Sequence, residues 1–254
     1  MRIIISPAKK MNMDTNGLPP ESLPQFLADA ALLLQRLKTM SYPELKALWG
    51  CSDSLAELNR NRLLQMDLHS HLTPAILSYE GIQYQYMAPA VFEYGQFDYI
   101  KEHLRILSGF YGLLRPFDGV VPYRLEMQAK LALGSSRNLY EFWGDKLCRQ
   151  LCRESDFILN LASYEYSKII SAHLPKDFLF LTCGFGELKG GKLIEKGTLC
   201  KMARGEMVRF LAEHQITKAE DIKTFDRLGY TYSAEHSSGH HYVFINTAPR
   251  LKSV

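Results

Sequence analysis

The sequence predicts an α/β protein, a mixed sheet surrounded by helices, and three observations carry that expectation. Arg2 to Ser6 (RIIIS), Asp156 to Ala162 (DFILNLA) and Phe178 to Phe185 (FLFLTCGF) are short apolar runs of the kind that fills a buried strand. Between them lie long stretches whose apolar residues recur with helical period. The first two runs also exit into polar loops, Ser6 to Lys10 and Asn160 to Tyr166, and the ends of parallel strands are where an α/β sheet meets its ligands.

In chain order, Pro7 ends the first strand and residues 13–22 read as a surface loop. Phe26, Leu27, Ala30, Leu33, Leu34 and Leu37 give one face of a helix over Pro24 to Met40. Ser41 with Glu44 three residues on is a capping-box start for the next helix, which Leu45 and Leu48 continue. Ser52 to Met66 predicts a third, with Leu55, Leu58, Leu63 and Leu64 turned inward, and His69 and His71 fall in a loop. Pro74 to Tyr79 is expected as a strand ended by Gly81, followed by an aromatic-rich segment from Tyr84 to Tyr99, then a helix over Asp98 to Leu107. Aromatics stack on bases as readily as they fill cores, but the segment lacks interleaved cations. Met127 to Leu133 and Leu139 to Arg153 are expected as helices separated by Gly134-Ser135-Ser136. After DFILNLA a short helix runs through Lys168 to Ala172; Lys189-Gly190-Gly191-Lys192 then turns the third strand back along Leu193 to Leu199. Residues 201–213 form an amphipathic helix with Met202, Val208 and Leu211 inward, and Gly229 to Ser233 and Tyr242 to Ile245 are late strands.

At 254 residues, 46% hydrophobic and 22% charged, the chain has the makeup of an ordinary globular protein with a sizeable core, expected as one unit over residues 1–254. A net charge of +3 is too mild to announce nucleic acid, so any basic surface must come from asymmetric placement of Lys and Arg. Cys51, Cys148, Cys152, Cys183 and Cys200 are odd in number and lack CxxC spacing; they read as free thiols in a reducing, cytoplasmic setting. The N-terminal MRIIISPAKK has neither the charge nor the length of a signal peptide, and no later run is long enough to span a bilayer. No Walker A loop, GxGxxG, GxSxG or HExxH pattern occurs, so no catalytic residue, cofactor or metal is assigned. His236, His240 and His241 offer a further reading, an iron-binding protein, that rests on this one local cluster alone.

The densest mixture of turn chemistry, apolar residues and cations is LRILSGFYGLLRPFDGVVPYRLEM, residues 104–127. Leu104, Leu107, Phe110 and Tyr111 fall at helical spacings, Gly109 and Gly112 free the backbone to turn, and Arg115-Pro116 stops a helix. Two readings are open. One is a helix-hairpin-helix clamp whose glycine amides approach a phosphate while Arg115 and Arg124 supply charge. The other is a helix C-cap followed by a packed turn. Lys201, Arg204 and Arg209 pose a similar choice, because cations near a helix N-terminus oppose its dipole unless an anion offsets them.

The stretches IISPAKKM, HLRILSGFYGLLRPFDGVVPYRLEM, LYEFWGDKL, NLASYEYSK and KMARGEMVRFL followed by GY occur here in that order. Over essentially its whole length the chain thereby resembles the YaaA peroxide-stress protein family of bacteria. The resemblance implies a cytoplasmic α/β protein of unusual topology, induced by hydrogen peroxide, that limits unincorporated intracellular iron and protects DNA and proteins. It also implies DNA binding through a helix-hairpin-helix element and a basic cleft. Carried onto this chain, the element is His103 to Pro116 around Gly109 and Gly112, and the cleft draws on Lys9, Arg115, Arg124, Lys201, Arg204 and Arg209. Three features depart from the family pattern: Met202 stands where a second cation is usual, Glu206 adds a negative charge, and the acidic, serine-rich segment expected near the C-terminus becomes Ala234 to His241, AEHSSGHH. The partner implied is double-stranded or structured DNA held mainly by phosphates; six such contacts give a log–log salt slope of about −5.

A second hypothesis is an enzyme acting on a nucleotide or another phosphorylated small molecule. In that case Ser6, Lys9, Arg124, Glu126, Asn160, Ser163, Lys201 and Arg204 converge on one pocket at the strand ends. A long open groove favours DNA. A closed pocket with Glu126 facing Arg204 or Lys201 favours chemistry.

Overall fold

A computed structural model describes residues 1–13 and 17–247. Residues 14–16, inside the expected loop 13–22, lie outside that description. The main sheet runs, from one edge to the other, Tyr230–Tyr232, His241–Asn246, Leu179–Lys189, Phe157–Asn160, Arg2–Ile5, Leu104–Ser108 and Gly112–Leu114, with Lys192–Ile194 also pairing Leu179–Lys189. Its five central strands are parallel and the remaining pairings antiparallel, so the sheet is mixed as expected.

Ile3, Ile4 and Ile5 are fully buried, because helices cover both faces of a central parallel strand. In chain order the five parallel strands stand second, first, third, fourth, fifth across the sheet. The order therefore reverses between Arg2–Ile5 and Phe157–Asn160. At such a point successive connections leave to opposite sides, opening a crevice beyond the strands' carboxyl ends. Those ends are Ser6 and the Leu161–Ser163 segment.

The helices Leu27–Lys38 and Tyr42–Trp49 form where the periodicity and the Ser41–Glu44 capping box put them. The Asp53–Gln65 helix also forms, but it turns Ala56, Asn59 and Leu63 inward and leaves Leu55, Leu58 and Leu64 about half exposed. Pro74 to Tyr79 is a short helix, Ala75–Ser78, between two-residue bridges, not a strand. Met127 to Leu133 has no helix, Gly144 with φ +50° splits the Leu139–Trp143 and Lys146–Glu154 helices, and the returning strand is cut to Lys192–Ile194 by a helix that begins at Gly197.

The largest departure is at residues 104–114. The preceding helix stops at His103, and Leu104–Ser108 pairs with Arg2–Ile5 on one side and Gly112–Leu114 on the other. In place of the expected helix-hairpin-helix there is a helix followed by a β-hairpin. A short apolar run satisfies helical and extended periodicity alike, and pairing with the central strand decides between them. Both glycines are buried. A methyl at Gly109 would stand 2.5 Å from the Leu125 carbonyl oxygen, and one at Gly112, whose φ is +75°, would meet the Trp143 ring at 2.8 Å. The hairpin loop is tied by the Ser108 hydroxyl, which accepts the Phe110 and Tyr111 amides at 3.1 and 2.8 Å.

Candidate functional site

The crevice at the reversal point is a cleft of about 420 Å³. Its floor joins the two strand exits: the Ser6 hydroxyl donates to Ser163 Oγ at 3.2 Å, and Ser6 Oγ accepts the Ser163 amide at 2.9 Å. Asn160 sits beneath this junction and does not line the cleft. Its Oδ1 accepts the Ala162 amide and its Nδ2 donates to Thr182, which holds the strand exit in shape.

One wall comes from two helices, Ile82–Met87 and Gly197–Glu213. Gly205 lets them touch, because any Cβ there would lie 2.1 Å from the Gln83 carbonyl oxygen. This contact brings Lys201 and Arg204 beside Gln83 and Tyr84, and the Tyr84 hydroxyl donates to the Ser6 carbonyl at 3.0 Å. The other wall comes from the loop carrying Tyr123 to Glu126 and from Ser163 with the first turn of the Tyr164–Ser171 helix. There Glu126 is paired with Lys9 at 2.9 Å and lies 3.5 Å from Arg124, so it faces those cations and not Arg204 or Lys201. At the rim Lys10 pairs with Glu80.

Three donors lining this cleft, the Nε atoms of Arg124 and Arg204 and Nε2 of Gln83, are buried with no hydrogen-bond partner among the described residues. The Arg204 guanidinium and the Lys201 ammonium also have no ion-pair partner among the described residues. Buried donors are rarely left unpaired, since each costs about 1–3 kcal/mol in that state. Opposite Gln83 and Arg204, burial pushes the Glu165 carboxyl above the usual carboxylate range, and the nearby Glu126 charge adds to the effect against the Gln128 amide and Lys9. Burial likewise raises the Tyr84 and Tyr166 hydroxyls well above their ordinary value and the Tyr123 hydroxyl to about 12, so all three stay neutral donors.

Of the residues singled out from sequence, Ser6, Lys9, Arg124, Glu126, Ser163, Lys201 and Arg204 therefore meet in one cleft. Arg115 is exposed in the loop after the hairpin, its amide donating to Asp118. Arg209 is engaged with Glu213 at 2.7 Å, and Glu206 and Glu213 both pair with Arg227; none of these lines the cleft. Gly109 and Gly112 serve the hairpin's packing. His236 bonds Ser233, and among the described residues no cluster of three His, Cys, Asp or Glu side chains is placed to share a metal.

Residues 1–236 match the family model described as peroxide stress protein YaaA. The chain belongs to that family. Over 245 residues it is 57% identical to a UPF0246 protein of Agathobacter rectalis, covering 96% of this chain and 98% of that one. UPF0246 proteins of Lachnoclostridium phytofermentans and Desulfitobacterium hafniense are 56% and 55% identical over the same length, covering 96% of this chain and 96% and 98% of theirs. No helix among the described residues of this YaaA-family chain is long and apolar enough to cross a membrane.

Sequence reasoning missed Gln83, Tyr84, Tyr123, Glu165 and Gly205. For Gly205 a signal existed: a glycine amid KMARGEMVRFL costs a helix about 1 kcal/mol and implies a close approach. Glu165 lay within NLASYEY, but only the fold shows that its carboxylate shares a cleft with Arg204.

Proposed function

We propose that this YaaA-family protein acts in the response to hydrogen peroxide by holding a phosphorylated small molecule, such as a nucleotide, in the cleft at the sheet's reversal point. The observation that carries this reading is the convergence of three unpartnered buried donors, on Gln83, Arg124 and Arg204, beside the unpaired Lys201. Charge-assisted hydrogen bonds to an anion satisfy such donors at about twice the strength of neutral ones. The cleft's volume of about 420 Å³ and its tyrosines suit a compact ligand more than a length of duplex.

A second reading is DNA binding, through which the protein would limit unincorporated iron and protect DNA and proteins. It is favoured by the rim, where Lys9, Lys10 and Lys201 are exposed, and by the family resemblance. Here phosphates of a strand end or distorted duplex would take the place of the small anion. Isothermal titration with inorganic phosphate and nucleotides, beside fluorescence anisotropy with duplex, bulged and junction DNA across a salt series, separates the two. Saturable nucleotide binding abolished by Lys201→Ala/Arg204→Ala supports the first. Salt-steep DNA binding with no nucleotide binding replaces it by the second.

A further inference from the structure

The two walls of the cleft ask for opposite things. On the helical wall, Gln83 Nε2 is an unpartnered donor on a residue only 7% exposed, next to the unpaired cations of Arg204 and Lys201. On the facing wall, two carboxylates stand close enough to repel one another, Glu126 and Glu165. Glu126 is occupied by Lys9 and Arg124. Glu165 is half-buried, has no cation within ion-pair distance among the described residues, and accepts only the Gln128 amide, at 3.3 Å. Its Tyr166 neighbour is buried and supplies a donor, not a positive charge.

We propose that the ligand is two-ended, an anion that also carries an amino group: the anion sits against Gln83, Arg204 and Lys201, and Glu165 receives the amine. The proposal rests on the reading of the cleft as an anion site and adds the chemistry of the other end. An isolated anion leaves the Glu165 carboxylate desolvated with nothing to offset it, and further burial by the bound ligand makes that cost larger. An amine supplies the opposite charge and the missing hydrogen bond at once. Lys168 and Lys9 are the other cations that Glu165 senses. Lys9 is committed to Glu126, and Lys168 lies over the Tyr140 ring at 3.9 Å. Neither fills this role. Glu165 therefore acts as a specificity-determining residue, selecting amino-bearing anions over anions of equal charge and size.

The test uses two homologous series at neutral pH, ω-aminoalkyl phosphates and n-alkyl phosphates of matched chain length, titrated calorimetrically into the full-length protein. The expected result is that the amine-bearing member of best-fitting length binds at least about tenfold more tightly than its alkyl partner, close to 1.4 kcal/mol. Glu165→Gln, which keeps the acceptor for the Gln128 amide, should erase that difference while leaving alkyl phosphate affinity unchanged or improved. Its thermal unfolding confirms that the fold is retained. Equal binding of the two series at every length overturns the two-ended ligand and leaves the anion site standing. Binding of neither series, nor of inorganic phosphate, removes the anion site itself and the inference with it.

Discussion

Gly205 and Gln83 are in such close contact that a single methyl group on the former would stand 2.1 Å from the latter's backbone oxygen. The cationic wall exists because of this contact, since it seats the Gly197–Glu213 helix against Ile82–Met87 with Lys201 and Arg204 facing the strand exits.

Gly205→Ala should therefore destabilise the protein by about 2–3 kcal/mol, the scale of overpacking against a rigid backbone. Urea denaturation would show a lower midpoint at unchanged slope. Anion binding should fall in the folded fraction as well, because the helix must shift outward to admit the methyl.

Lys201→Ala/Arg204→Ala is expected to do the reverse. Among the described residues neither side chain has a hydrogen-bond or ion-pair partner to lose, so the thermal midpoint should stay within a degree or two or rise slightly. Phosphate affinity should drop by more than tenfold, as charge-assisted bonds contribute about 1.5–3 kcal/mol each.

Glu154 is a stability determinant away from the cleft. Burial pushes its carboxyl upward, but the Gln150 amide and the Arg105 and Arg2 guanidinium groups outweigh this and hold it below the usual range. Arg105 is itself buried, bonded to Glu154 at 2.8 and 2.7 Å. A carboxyl lowered on folding stabilises the native state above its unfolded pKa, and that stability fades as pH falls from about 4.5 through the folded value. Glu154→Ala should cost about 3–5 kcal/mol at neutral pH by leaving Arg105 buried and uncompensated. Chemical denaturation at stepped pH should show the gap between wild type and variant narrowing as the solution is acidified below that range.

Gly112→Ala addresses the hairpin. With φ at +75° and the Trp143 ring 2.8 Å from the new methyl, it should lower stability by more than 1 kcal/mol. Any loss of DNA binding should then track the unfolded fraction, which anisotropy and circular dichroism on the same samples would reveal. A clean loss of DNA affinity at full stability would instead return these glycines to the phosphate contact.

Much of the parallel core was legible because RIIIS, DFILNLA and FLFLTCGF are short apolar runs rich in β-branched or aromatic residues and end in Pro, Gly or polar exits. Their polar exits located Ser6 and Ser163 on the cleft floor before any fold was in hand. LRILS was not legible. Its five residues fit a helix as well as a strand, and pairing with Arg2–Ile5, a hundred residues away in sequence, together with the local return of Gly112–Leu114, settles it. The same nonlocal placement separated the cations: Lys201 and Arg204 reach the cleft, whereas Arg209 turns to Glu213 and Arg115 stays on an outer loop. Charge was visible in the letters; which side of a helix meets which loop was not.

The central position of Arg2–Ile5 has a consequence for biogenesis. Its flanking strands end at Ser108 and Asn160, and the Ser6–Ser163 hydrogen bond spans 157 residues of chain. The three consecutive isoleucines are made well before their second neighbour, Phe157–Asn160, which follows some 150 residues later, roughly 10–30 s at ordinary translation rates. Until Leu104–Ser108 is made the nascent apolar strand has two open edges, and until Phe157–Asn160 is made it keeps one. The cleft cannot be complete before then, because its floor needs Ser163 and its cationic wall needs the Gly197–Glu213 helix, both made later in the chain.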